Sequence, residues 1–199
     1  MWPWGHLAFG YLVYSLASRA TFREAPTGGP TLLLAVASQL PDLVDKPLSW
    51  TFGVFVTGYG AGHSVFVAVP VVAAAAALAR RTGRERWGLA FCVGYAAHLA
   101  GDVLLESAIE REASYDMVLW PVAEFSGYAV DRGFFGRFSA YLVSFAADVL
   151  SGEATFYLAL YVVLFTSVFA LWLYDGLPVA REAARWLADR RAAGRRDRP

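Results

Sequence analysis

An all-α, polytopic membrane bundle of about five hydrophobic segments, with one amphipathic helix lying in the interface, is the fold class this sequence predicts. Three observations lead there. The 199 residues are 57% hydrophobic and only 17% charged, against about 25% charged in an ordinary soluble domain. The charges are missing from long stretches rather than thinned evenly. The arginines cluster between alternate stretches. A mean hydropathy of +0.43 excludes disorder, and zero net charge argues against a nucleic-acid partner. The single cysteine, Cys92, permits neither an intrachain disulfide nor a cysteine-based zinc site and reads as a small buried hydrophobe.

A membrane helix needs about 20 mostly apolar residues. Met1–Ser18 carries no Asp, Glu, Lys or Arg, and Trp4–Ser18 is the first, short, hydrophobic segment. Met1-Trp2-Pro3-Trp4 lacks the basic start of a standard signal peptide, and its two tryptophans suit an interfacial anchor. Thr31–Leu40 is too short to cross squarely, so it tilts or is screened from lipid by its neighbours. Gly62–Ala79 follows, with Gly60-Ala61-Gly62 allowing close backbone approach and His63-Ser64 expected to open a helix. Trp87–Leu105 has Asp102 as its one charge, and Ala154–Tyr174 has none.

Orientation comes from the positive-inside rule. Arg19 and Arg23, then Arg80, Arg81, Arg84 and Arg86, then seven arginines from Arg181 to Arg198 place thirteen basic residues on one side. Lys46, Arg111, Arg132 and Arg137 place four on the other. The expectation is a multi-pass protein of the cell (inner or plasma) membrane, N-terminus external and C-terminus cytoplasmic. Residues 1–178 form the membrane domain, and 179–199 a basic cytoplasmic tail with Trp186 and Leu187 on anionic lipid head groups. Residues 106–153 form an external loop rich in acids (Glu106, Glu110, Glu112, Asp116, Glu124, Asp131, Asp148, Glu153) and in aromatics, Phe125 among them. Within it Phe138, Tyr141, Leu142, Phe145 and Val149 recur at helical spacing. Phe134–Leu150 therefore reads as an amphipathic helix in the outer interface, the alternative being a helix packed on the bundle.

The chemistry gathers in six residues. The three histidines, His6, His63 and His98, each lie in an uncharged apolar segment, where ionisable groups are costly and mark function. Asp42 and Asp45 lie in Leu40-Pro41-Asp42-Leu43-Val44-Asp45, and Asp102 lies one helical turn beyond His98. The i,i+4 pair His98–Asp102 shares a helix face, as do Asp42 and Asp45 if the helix continues past Pro41. Counted from the cytoplasmic charges at 1.5 Å per residue, His6 is about 20 Å up, His98 about 18 Å, His63 about 25 Å and Asp42 about 16 Å. Four segments thus bring polar groups to the outer half of the membrane. Three His and three Asp suit one or two Zn²⁺, Mn²⁺ or Fe²⁺ ions. Each residue also has a plainer reading: His6 at the interface, His98–Asp102 as a polar clasp, His63 at a helix start beside a Ser64 cap, and Asp42 and Asp45 in a turn after Pro41. Glu106 is an outlying candidate, and Ser64 as nucleophile has no GxSxG setting.

In order, Trp4-Gly5-His6-Leu7-Ala8-Phe9-Gly10, Leu40-Pro41-Asp42-Leu43-Val44-Asp45, Gly62-His63-Ser64 and His98-Leu99-Ala100-Gly101-Asp102 resemble the YdjM/YbcI-type family of inner-membrane metal-dependent hydrolases. The resemblance covers residues 4–102. It implies metal ligands at His6, Asp42, His63, His98 and Asp102, with Asp45 as ligand or as a base behind the ligands. It departs at Gly60-Ala61-Gly62, where many relatives carry His-Arg-Gly-x-Thr, so an arginine for an anionic substrate is missing there. The pattern is also distantly similar to zinc-dependent phospholipases C.

Three functions follow. The first is a membrane metal hydrolase, zinc first, acting on a lipid or lipid-linked ester or phosphoester, with membrane lipids as surroundings and a lipid-like molecule as substrate. The second is a non-enzymatic metal-binding membrane protein for transport or assembly. The third, a metal-free lipid-phosphate phosphatase, needs a Lys/Arg cluster that Lys46 alone does not supply.

Overall fold

A computed structural model describes residues 1–113, 115–123, 127–128 and 132–196, leaving aside the side chains of Glu110 and of 191–196. The expectations placed on Glu124, Phe125, Asp131 and the last arginines fall outside the described residues. Among the described residues all regular structure is helical: α1 (Pro3–Phe22), α2 (Gly28–Ala37), α3 (Leu40–Trp50), α4 (Val65–Arg81), α5 (Glu85–Glu110), a 3₁₀ turn (Asp116–Val118), α6 (Gly133–Ser151), α7 (Thr155–Tyr174) and α8 (Ala180–Arg196).

Local signals set the ends. Pro3 and Pro41 open α1 and α3, where a missing N–H costs nothing. Arg23 and Arg111 close α1 and α5 in the left-handed conformation. α5 is the axis of the bundle, with α1, α2 and α4 packed along it and α7 laid on α1. One apolar cluster joins Tyr11, Tyr14, Leu34 and Ala90, and another joins Ala68, Tyr95 and Leu99. α2 presses so closely on α5 that a Cβ on Gly94 would lie 2.8 Å from the Leu34 carbonyl oxygen. That contact brings the α2–α3 junction over the middle of α5.

Among the described residues two helices are long and apolar enough to cross a membrane, Glu85–Ile109 and Thr155–Tyr174, so about five crossings are not shown. α2 has 10 residues, or about 15 Å, and stops at Ala37, with Leu34 and Ala37 wholly buried. Its other face exposes Leu32 and Val36. α4 has 17 residues, about 26 Å. α7 buries only Tyr161, and the exposure of Val162, Val163 and Phe169 suits a lipid-facing surface. The helix expected to open at His63 begins at Val65, with His63 in the turn before it. The Ser64 hydroxyl makes no cap and instead donates to the Trp120 carbonyl oxygen at 2.6 Å.

α6 forms where the helical spacing places it and packs against α3. Phe134 and Tyr141 meet Trp50 at 5.5 and 5.8 Å between ring centroids, and Phe145 meets Trp2 at 5.4 Å. Its opposite face exposes Phe135, Val143 and Leu150. The helix is thus apolar on two sides, one toward the bundle and one outward.

One end of the bundle gathers the arginines. Arg19 ion-pairs with Asp175, Arg86 with Glu24 at 2.8 Å, and α8 is tied back by Glu182. The Glu182 carboxylate accepts from the Gly28 N–H at 3.1 Å and the Val179 N–H at 2.6 Å, capping α2 across the chain. Burial raises the proton affinity of this carboxyl, and the two backbone donors lower it. The donors win, so Glu182 lies below its ordinary value of 4.5. A depressed folded value means the tie holds fully above the ordinary glutamate range and is lost as pH falls through the folded value. Amide exchange over residues 180–190, corrected for intrinsic rate, is expected to accelerate selectively below about pH 4. Glu182→Gln should show the same loss at pH 7. Unchanged protection in both experiments would remove the tie.

A candidate metal centre

The centre lies at the end of the bundle away from the arginines. α1 supplies His6, α3 supplies Asp42 and Asp45, the turn before α4 supplies His63, and α5 supplies His98 and Asp102. All three imidazoles are fully buried, and the three aspartates nearly so. The helix does run on past Pro41, so Asp42 and Asp45 share α3.

Close backbone approach brings His63 in. A Cβ on Gly62 would lie 2.8 Å from the Pro41 carbonyl oxygen and 3.1 Å from Asp45 Oδ1, so only glycine lets this turn seat on α3. Asp45 then holds the turn. It accepts from the N–H groups of Gly60 (2.8 Å), Gly62 (2.8 Å) and His63 (2.9 Å) and pairs with His63 Nδ1 at 2.7 Å. Tyr95 adds a 2.6 Å donation from its hydroxyl to the Gly62 carbonyl oxygen. With both carboxylate oxygens engaged, Asp45 stands behind His63 and orients its ring.

The hydrogen-bond partners decide the tautomers. His98 Nδ1 is 2.7 Å from the Ser38 carbonyl oxygen, which can only accept, so Nδ1 carries the proton. His63 Nδ1 likewise faces the Asp45 carboxylate. In the neutral rings both Nε2 atoms therefore present lone pairs, and they lie 3.0 Å apart. The Asp42 carboxylate is 3.4 Å from His63 Nε2 and 3.8 Å from His98 Nε2. The Asp102 carboxylate is 3.7 Å from each. Two ring nitrogens and two carboxylates thus converge on one buried point, an arrangement that a metal ion, or a proton shared between the two Nε2 atoms, would satisfy. Tetrahedral zinc ligands at about 2.0–2.1 Å lie roughly 3.3 Å from one another, close to these separations. His6 adds a second donor set. Its ring stacks on His98 at 3.7 Å, its Nε2 is 3.4 Å from Asp102 Oδ1, and neither ring nitrogen has a hydrogen-bond partner. Among the described residues the groups able to hold a metal ion are Asp42–His63–His98 and His6–His98–Asp102, each with its donor atoms within 4.8 Å of one another.

Two cations face the carboxylates from outside, Lys46 on Asp42 and the N-terminal ammonium on Asp102. A cavity of about 1040 Å³ opens against this edge, touched by Asp42, Lys46, Tyr59 and Glu106. Glu106 therefore lies on the cavity wall. Ser38, Tyr59 and Tyr95 carry no chemical signature in the sequence. Ser38 acts through its carbonyl oxygen, Tyr95 through the Gly62 turn, and Tyr59 sets its ring edge-on to His63 at 4.9 Å.

A family model described as YdjM inner membrane protein matches residues 1–177, from the N-terminus through α7. No curated protein and no solved structure matches the chain.

Proposed function

The chain belongs to the YdjM inner membrane protein family, and from that premise we propose a metal-dependent hydrolase acting on a lipid or lipid-linked ester or phosphoester in the outer half of the membrane. His6, Asp42, His63, His98 and Asp102 are the ligands of one or two divalent ions, zinc first, with manganese or iron as alternatives. The observation that carries the reading is the buried convergence of ligand atoms, two imidazole Nε2 atoms 3.0 Å apart between two buried carboxylates, with the donor atoms of each group within 4.8 Å of one another. A divalent cation there supplies Lewis acidity, polarising a substrate oxygen and making water a stronger acid.

The chain's own residues do the rest. Asp45 keeps the His63 ring in one tautomer and one orientation, and the Ser38 carbonyl oxygen does the same for His98. Asp42 is the cage carboxylate on the cavity wall. Its Oδ2 is paired with the Lys46 ammonium, which fixes the carboxylate between the cage and the cavity. The same cavity favours an enzyme over a sealed structural metal, because substrate and water can reach the centre. Residues 1–178 form the membrane-embedded unit and 106–153 an outer cap. Residues 179–199 form a cytoplasmic tail, and the N-terminus is external. The gathering of Arg19, Arg86 and α8 at the far end supports that orientation.

Elemental analysis of the detergent-purified protein tests the reading. Wild type is expected to hold one or two equivalents, and Asp45→Asn to bind about 10–100-fold more weakly through its loosened hold on His63. Metal-loaded protein is expected to hydrolyse a micellar lipid ester or phosphoester, and stripped protein to be inert. A wild type that holds no metal after reloading overturns the proposal.

A further inference from the structure

We propose that the cavity beneath α6 is the substrate chamber and that it takes a membrane lipid phosphoester, hydrocarbon chain among the α6 aromatics and phosphoryl group against Lys46. This rests on the hydrolase reading and narrows it to one substrate class.

The cavity of about 1040 Å³ reaches the upper limit of ordinary small-ligand pockets, about 300–1,000 Å³. Its two ends differ. Asp42, Lys46 and Tyr59 line the end beside the metal cage, and Phe134, Phe138 and Phe145 line the side under α6. A water-soluble phosphoester would leave the aromatic side unfilled. A lipid gains little free energy by moving its chain from bilayer to chamber, since both are apolar. The chamber therefore works by position, holding the ester bond at Asp42 while the chain lies under α6. The outward face of α6, with Phe135, Val143 and Leu150 exposed, suits a helix lying at lipid depth, so a chain enters along it without crossing water.

The phosphoester is singled out by Lys46. It is the chain's only lysine, one turn after Asp42 on α3, paired with the Asp42 carboxylate and partly exposed beside the cavity. An anionic phosphoryl oxygen can share its ammonium with Asp42, whereas a carboxylic ester offers only a neutral acceptor. Glu106, Asp148 and Glu153 also line the cavity, against Arg111 and the Met1 ammonium as further cations. The wall is thus net acidic and does not hold free phosphate by its field alone. Chain and headgroup are needed together.

The test measures binding to the full-length protein in a mild non-ionic detergent, with metal content recorded for every sample. The probes are a dibrominated dodecyl phosphate, the matching dodecanol and inorganic phosphate. Quenching of tryptophan emission by bromine is the readout, because Trp2 and Trp50 line the cavity, and inorganic phosphate enters as a competitor. Dodecyl phosphate is expected to bind about tenfold more tightly than dodecanol, the size of one charge-assisted hydrogen bond, and inorganic phosphate to compete poorly. Lys46→Met is expected to erase that preference while dodecanol binding stays. Ser144→Phe, which narrows the cavity from α6, is expected to weaken both alkyl probes. A preference that survives Lys46→Met, quenching that survives Ser144→Phe, or effective competition by inorganic phosphate each overturns the assignment. Metal present without alkyl binding defeats the chamber alone. Binding with no metal defeats the hydrolase reading alone.

Discussion

Replacing His98 with Ala is expected to empty the centre, leaving less than about a tenth of the wild-type metal, because removing a primary ligand costs more than the 10–100-fold lost with an orienting partner. His98 is the residue common to both donor sets. Its Nε2 faces His63, Asp42 and Asp102 at 3.0, 3.8 and 3.7 Å, and its ring is the surface on which His6 stacks. No other single substitution removes a donor from both sets. His6→Ala supplies the contrast. It touches only the His6–His98–Asp102 set, and His98 has one lone pair to give, at Nε2, so an ion held on that set should be lost and an ion held on the Asp42–His63–His98 set kept. Elemental analysis on monodisperse protein of unchanged helix content checks both. Full metal retention in His98→Ala would detach the cation from this cluster.

The second large effect concerns stability at the opposite end. Asp175, 5% exposed, accepts from the Tyr11 and Ser15 hydroxyls at 2.7 Å each and ion-pairs with Arg19. It fastens the end of α7 to three successive turns of α1. Asp175→Ala would strand two buried hydroxyls and uncouple the guanidinium. Breaking a buried pair costs about 3–5 kcal/mol. Arg19 is about one-third exposed, so screening brings the expected loss to about 3 kcal/mol. In a chain of this size that is a fall of roughly 6–12 °C in thermal midpoint. Metal content should stay at the wild-type level, because the metal cage shares no residue with this clasp. Metal loss in parallel with the midpoint would mean that the two ends are not independent, and an unmoved midpoint would mean that the clasp bears no stability.

Much of the centre could be read in one dimension. The i,i+4 spacing of His98 and Asp102 needs only a helix, and α5 is one. Gly60-Ala61-Gly62 announced a close approach, and Gly62 does seat against Pro41. Depth counting along one helix applies to His6 on α1 and His98 on α5, whereas Asp42 lies on α3 beyond the break after α2 and His63 in the turn before α4, so uniform rise does not carry those two. Other features were out of reach. Asp42 and Asp45 sit three residues apart on one helix, and nothing local says that one faces the cage while the other turns to four donors behind His63. Ser64 looked like a cap but donates to Trp120 because a segment 56 residues later lies over it.

By itself the sequence determined what is local: helix type, the charge-free stretches, the side on which arginine collects, and the six polar residues that an apolar chain does not carry without use. Hydropathy and helical periodicity depend on neighbours within a few residues, so they survive without tertiary information. The tertiary structure decided how each helix packs, since α2 buries Leu34 and Ala37 against α5 while α7 buries little beyond Tyr161. It also decided which imidazole nitrogens keep a lone pair. That choice depends on the Ser38 carbonyl, 60 residues from His98, and on Asp45, 18 residues from His63. Such partners are set by packing, and packing alone turns six scattered polar residues into a convergence of ligand atoms around one point.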